Sequence, residues 1–357
     1  MSIRPRHTRR DGHRPRLALM AMAMAAVTGL AACSGEADGL QADAPLPTEI
    51  PPGTTLVVAD QQNRLTVALE ASGELDKLPF DVEFGAFQGA PSVLEAFRAD
   101  AIDVGYAGDI MEVQALAAGD DVTVIGAGAT DNSVALALAP GVEATGLADL
   151  RGKKLGYAEG TTQQIFLLNL LEAAGLTTED VELVHMSLPD FPDALRSGVI
   201  DAAPLSQPVR SRYLKTPGAS QLPEDLTEEF GSGHLYVYSS ETALSDPATA
   251  AAAAEFVTAV VRSYQWINEN PQEWIRSYVI ESEGLTAEDG DAILASQGEF
   301  TFPTFDEVEQ VIGSIAAGLD SVGGLPRPVD ASDGVDRRFD PVIADAVAAV
   351  GASRTRN

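Results

Sequence analysis

Four short clusters of small and polar residues stand out in the chain: Asp60-Gln61, Gly108-Asp109, Gly160-Thr161-Thr162-Gln163 and Ser206-Gln207. Each follows a short β-rich run. The chemistry on offer there is hydrogen bonding rather than bond-making. The first turn of a helix leaves its N–H groups without intrahelical partners, so it can receive an anion or a carbonyl oxygen. In open α/β sheets ligands bind beyond the carboxyl ends of the strands, which is where such clusters lie. Ser, Thr and Asp at these places also cap helices, so one cluster is a weak signal, whereas four converging clusters point to a cleft. Gln61, Gly108 and Asp109 are expected on one wall, and Thr161, Thr162, Gln163 and Gln207 on the other.

No catalytic apparatus accompanies them. Beyond residue 33 the histidines are His185 and His234, neither with a ligand-spaced partner, and both read as structural. There is no GxSxG elbow, GxxxxGKS loop or GxGxxG turn. Gly126-Ala127-Gly128-Ala129 follows a strand but lacks the spacing and the helix start, so it reads as a turn. No catalytic residue, metal or cofactor is expected, and the chain does not read as an enzyme.

The elements that must carry these clusters alternate. Strand patterns fall near 55–59, 80–87, 101–106, 122–127, 134–139, 153–157, 181–186, 199–204 and 234–239, and helical patterns near 64–73, 91–99, 109–118, 162–174 and 190–197. Such alternation indicates βαβ units and parallel sheets. Ala96-Phe97-Arg98-Ala99-Asp100-Ala101-Ile102-Asp103 is matched by Ala194-Leu195-Arg196-Ser197-Gly198-Val199-Ile200-Asp201 at an offset of 98, suggesting two lobes of one design. From Pro247 to Ala349 the pattern is mostly helical, with Trp266 and Trp274 as packing residues.

Residues 1–33 do not belong to that fold. Six arginines, an apolar run of about 14 residues and Leu30-Ala31-Ala32-Cys33 make a secretory signal; the run is short of the ~20 residues a spanning helix needs. Cys33 is the only cysteine, which excludes an internal disulfide and resembles the lipidated cysteine of a bacterial lipobox. Arg9-Arg10 hints at twin-arginine export, but Asp11-Gly12-His13 lacks the apolar residues of that signal. Residues 34–53, with four prolines and no periodicity, read as a flexible tether. The chain of 357 residues carries −30; the signal segment accounts for +5, leaving a mature chain at −35. That acidity argues against nucleic acid or anionic lipid as a partner.

From residue 54 to about 345 the sequence resembles substrate-binding proteins of the aliphatic-sulfonate, taurine and nitrate family of ABC importers. The resemblance is carried by Leu94-Glu95-Ala96-Phe97 through Ile102-Asp103-Val104-Gly105-Tyr106-Ala107-Gly108-Asp109, by Leu147-Ala148-Asp149-Leu150-Arg151-Gly152-Lys153-Lys154-Leu155, and by Glu159-Gly160-Thr161-Thr162 with Leu171-Glu172-Ala173-Ala174-Gly175-Leu176. Gly324-Leu325-Pro326-Arg327-Pro328-Val329-Asp330 and Val335-Asp336-Arg337-Arg338-Phe339 resemble the sulfonate-binding branch. The resemblance implies a two-lobed protein that closes on a small polar ligand, as a monomer, and presents it to permease and ATPase subunits. One segment departs from the family: Ala203, Ser206 and Val209 stand where aromatics are usual, so sulfonate specificity does not transfer with the fold. A carboxylate facing a sulfonate at about 4 Å costs ~4 kcal/mol at an effective dielectric of about 20; Asp109 is therefore expected to cap its own helix, or the ligand to carry a cationic or donor group.

The expectation is an α/β periodic architecture of the periplasmic-binding-protein type II fold, with two lobes, two hinge crossings near 130–134 and 231–236, and a helical C-terminal third. Lobe one is 54–131 plus 236–350, and lobe two is 132–235. The protein is expected outside the cytoplasm, held at the outer face of the membrane by lipid on Cys33. Two other readings are a pyrimidine-precursor binding protein or enzyme on the same fold, and a surface sensor without transport.

Overall fold

The computed structural model describes residues 40, 44–131, 134–227, 230, 231, 233–321, 323–352 and 354. The signal segment and Cys33 lie outside the described residues. The chain begins with β1 (Thr55–Gln61), α1 (Arg64–Ser72), β2 (Asp81–Phe87), α2 (Ala90–Arg98), β3 (Val104–Gly108), α3 (Ile110–Ala118) and β4 (Val122–Ala129). It crosses to β5 (Val134–Leu138), β6 (Lys154–Tyr157), α4 (Thr162–Ala173), β7 (Glu182–His185), α5 (Phe191–Arg196), β8 (Ala202–Ser206), α6 (Val209–Leu214) and β9 (Ser220–Gln221). It returns through β10 (His234–Ser240) and ends in α7 (Glu241–Leu244), α8 (Pro247–Glu269), α9 (Pro271–Trp274), α10 (Ala287–Gln297), α11 (Phe305–Ser321) and α12 (Asp340–Val350).

Two five-stranded sheets result, ordered β2-β1-β3-β10-β4 and β7-β6-β8-β5-β9. Within each, four strands run the same way, and the fourth in order is antiparallel to both its neighbours. That fourth strand, β10 or β5, is the one the chain forms on arriving from the other sheet. The two crossings lie between β4 and β5 and between β9 and β10.

The repeated eight residues do the same work in both lobes. Asp100 and Gly198 are left-handed (φ 50° and 68°), and the bonds Ala101 N–H to Ala96 O (3.0 Å) and Val199 N–H to Ala194 O (2.9 Å) close equivalent turns. Asp103 Oδ2 then accepts from the Val57 amide at 2.8 Å, and Asp201 Oδ2 from the Lys154 amide at 2.8 Å. Each carboxylate occupies a backbone donor just before the parallel ladder begins, and so fixes where the central strand enters.

The first sheet and the C-terminal helices share one large core. The alanine run Ala250–Ala253 of α8 is buried, and side chains this small let α8 lie against α1 and α12. Trp274 is buried and stacks on Tyr278 at 4.6 Å, the packing role expected of it. The second sheet has a core on each face: Leu136, Leu155, Phe166 and Leu170 on one, and Phe191, Ile200, Leu205 and Tyr213 on the other.

The tether is less free than its composition suggests. Leu40, Leu46 and Ile50 pack against the large core, the Leu40 amide donates to Ser245 O at 2.6 Å, and Arg338 Nη1 reaches Ala44 O at 3.4 Å. Three apolar side chains scattered among prolines escape any periodicity test, yet each removes apolar surface from water.

Candidate functional site

A cavity of about 710 Å³ lies at the carboxyl ends of β1, β3 and β8, between the two sheets. The antiparallel strands enter from the same side, so Val134, His234 and Leu235 also line it. All four polar clusters converge here: Gln61, Gly108, Thr161, Thr162, Gln163, Ser206 and Gln207 are in the wall. Asp109 is not.

Most of these groups are held by bonds within the protein. Asp60, whose carboxyl is raised by burial, accepts from the Leu65 and Thr66 amides (3.1 and 2.8 Å) and from Thr66 Oγ1 (2.7 Å), and so anchors the start of α1. Gln61, one residue on, keeps a buried Nε2 with no hydrogen-bond partner among the described residues, a donor available to a ligand. Thr161 is the N-cap of α4: its hydroxyl accepts from the Gln164 amide (3.3 Å) and donates to Ala158 O (2.7 Å). Gln163 Nε2 donates to Ser206 Oγ at 2.6 Å. Gln207 Oε1 accepts from Ser211 N and Oγ (3.2 and 2.8 Å) and braces α6.

Asp109 corrects the sequence-based expectation. It occupies the N-cap position of α3 without a side-chain capping bond; its Oδ1 accepts from Thr162 Oγ1 of the other lobe at 3.2 Å. A hydroxyl arriving from the facing lobe supplies the partner that a local amide was expected to give. Gly108 explains how the lobes come so close, since a Cβ there would sit 2.5 Å from Thr162 Oγ1. Across the mouth, Arg212 Nη2 donates to Glu283 Oε2 (2.7 Å) and to its carbonyl (2.8 Å), and Lys215 pairs with Asp289.

Sequence reasoning missed Arg64. It is 8% exposed, lines the cavity, and lies 5.5–5.7 Å from the rings of Phe300, Trp274 and Tyr278. One signal was present: a cation in the first turn of a helix opposes the helix dipole, worth about 0.3–1 kcal/mol. His234, read as structural, also reaches the cavity wall. Away from the cavity wall, Glu112 of α3 is fully buried, with no hydrogen-bond partner for its carboxyl among the described residues, in space left by Gly334; burial pushes it well above the usual carboxylate range. Among the described residues there is no group of three His, Cys, Asp or Glu able to hold a metal, and no helix long and apolar enough to cross a membrane.

The arrangement can enclose and hydrogen-bond a small molecule. The alkanesulfonate-binding protein SsuA of Xanthomonas axonopodis pv. citri, solved with MOPS, superposes with a TM-score of 0.68 at 20% identity, over 80% of this chain and 99% of that one. The nitrate-binding protein NrtA of Synechocystis PCC 6803 gives 0.67 at 13% identity, over 87% and 94%. Both likenesses establish the two-lobed periplasmic-binding-protein fold. In sequence, an Escherichia coli K12 protein named for binding aliphatic sulfonates is 30% identical over 152 residues, 42% of this chain and 47% of that relative, so the match spans just under half of its length. The family profile described as NMT1/THI5 like matches residues 80–274, and with more than half of its length so matched the chain belongs to the NMT1/THI5-like family.

Proposed function

We propose that the protein is an extracytoplasmic solute-binding protein that captures a small polar ligand in this cleft and presents it to the permease and ATPase subunits of an ABC importer. The observation that carries the reading is the convergence of four post-strand segments, two from each sheet, on one cavity. The names of the relatives support it. Lobe one is assigned to 54–131 plus 236–350 and lobe two to 132–235, with Gln61, Gly108, Thr161, Thr162, Gln163 and Gln207 as ligand-side residues and Asp109 as a lobe-to-lobe contact. Lipid on Cys33 is assigned as the anchor. Ser206 and Val209 line the cavity where the family's aromatics are usual and make the second wall smaller, whereas Ala203 is buried in the core of the second sheet, so the ligand is sulfonate-like in polarity without being fixed as a sulfonate. Native mass spectrometry of the purified protein, followed by release and identification of the retained small molecule, tests the reading. A retained ligand that is bound and returned unchanged is expected; turnover without added partners overturns it.

A further inference from the structure

Resting on the solute-binding reading, we infer that Arg64 is the specificity-determining residue of the cleft, the cation that takes an oxyanion group of the ligand.

The backbone explains how an arginine comes to be there. Gln62 and Asn63 are both left-handed, with φ 58° and 53°, a conformation that residues other than glycine adopt rarely and that gathers at functional sites. Two such residues in succession turn the chain sharply between β1 and α1. Arg64, the first residue of α1, is thereby buried at the cavity instead of lying exposed on the helix surface.

Its charge is not balanced there. Among the described residues no carboxylate lies within ion-pair distance of Arg64; its polar neighbours are neutral, Gln297 Oε1 at a long 3.5 Å from Nη2 and the Tyr106 and Tyr278 hydroxyls, and its Nε is buried without a partner. The rings around it offer π faces, which attract a cation but carry no charge. Burial pushes the neighbouring Tyr106 hydroxyl up to about 12 and those of Tyr264 and Tyr278 upward too, so all three are neutral at physiological pH. Asp60, four residues earlier in the chain, is engaged on the amides at the start of α1. The other arginines in the wall already have carboxylates, Arg196 with Asp193 and Arg212 with Glu283. A buried charge left without a counter-charge is costly. An anionic ligand arriving beside Arg64 would remove that cost, whereas a neutral one would leave it. A guanidinium presents planar, paired donors that suit two oxygens on one atom, a chemistry shared by sulfonates, carboxylates and inorganic oxyanions.

The rival role is a structural one, a cation braced among aromatic rings that joins α1 to the C-terminal helices. Titration calorimetry and thermal melts on wild type, Arg64→Gln and Arg64→Lys separate the two, with butanesulfonate, butyrate, nitrate and the uncharged butanamide as probes. At least one anion is expected to bind wild type and raise its melting temperature. Arg64→Gln should weaken that anion by roughly 100- to 1000-fold, and Arg64→Lys, which keeps the charge but not the paired donors, by less. If Arg64→Gln fails to fold, Arg64→Lys carries the test, through weaker anion binding with butanamide unaffected. Equal anion affinity in wild type and a folded variant overturns the inference and leaves Arg64 a brace. Preference of wild type for butanamide over every anion also overturns it, while leaving the solute-binding reading intact. A protein that binds no probe and retains no small molecule on purification defeats both.

Discussion

The ion pairs across the cleft mouth should set how long a ligand stays. Arg212 lies on α6 and Lys215 is its C-cap, on the helix that packs on the second sheet, while Glu283 and Asp289 belong to the C-terminal helical part built on the first. Opening the cleft separates both pairs. The two cations are 45% and 49% exposed and the two carboxylates 15% and 16%, so most of the attraction is screened, and each pair contributes about 0.2–1 kcal/mol. The added bond from Arg212 to the Glu283 carbonyl brings the sum to about 1–2 kcal/mol, equivalent to roughly a 5- to 30-fold change in the closed-to-open ratio. In Arg212→Ala/Lys215→Ala, ligand dissociation followed by stopped flow should accelerate by that factor. Wild-type dissociation should also quicken between 50 mM and 500 mM salt, and the variant should have lost most of that dependence. Equal off-rates in the two proteins, or equal salt dependence, would show that the mouth opens without breaking these pairs.

Glu112 gives a pH test. Its folded carboxyl titrates well above the unfolded one, so the folded state holds a proton that the unfolded state releases. The stability it contributes is present below the ordinary carboxyl range and is lost as pH rises through the folded value; Glu112→Gln should therefore raise the melting temperature at pH 8 relative to wild type and change little at pH 4. Thr161→Ala removes the cap of α4 and should cost about 1 kcal/mol of stability, whereas Thr162→Ala loses the bond to Asp109 and should weaken ligand binding about 3- to 10-fold; denaturant melts and calorimetry on the two single variants read these effects separately, and the reverse pattern would exchange their roles. Cys33→Ser should release the protein from membranes on fractionation, and a variant that still sediments with them would remove the lipid assignment.

The lobe design was legible because it is local. A helix, a left-handed residue and an Ile-Asp entering a strand leave a visible eight-residue signature twice, and the two aspartates make the same bond. Four post-strand clusters reached one cavity for the same reason: the strand ends that carry them follow from βαβ connection rules. What escaped depends on distant chain. Asp109 finds its partner 53 residues away, and Arg64 is recognisable as a cavity residue only once the aromatic residues at 274, 278 and 300 fold beside it. Leu40, Leu46 and Ile50 have no pattern at all until a core exists for them to cover.

The position of β10 bears on the order in which the molecule can be built. Every strand of the second sheet comes from one unbroken stretch, 134–221, whereas the first sheet has its β3 and β4 made early and the strand between them supplied only at 234–240. A chain emerging from its N-terminus can complete the second sheet before the first has its inner strand. Until then β3 and β4 each present an unpaired edge, the feature most prone to pairing with another chain. Joining them must also span more than 100 residues of chain, and contacts so distant form slowly. The inserted lobe is thus a candidate for folding early, and the lobe that contains both the beginning and the end of the fold is the one exposed to misassembly while it waits.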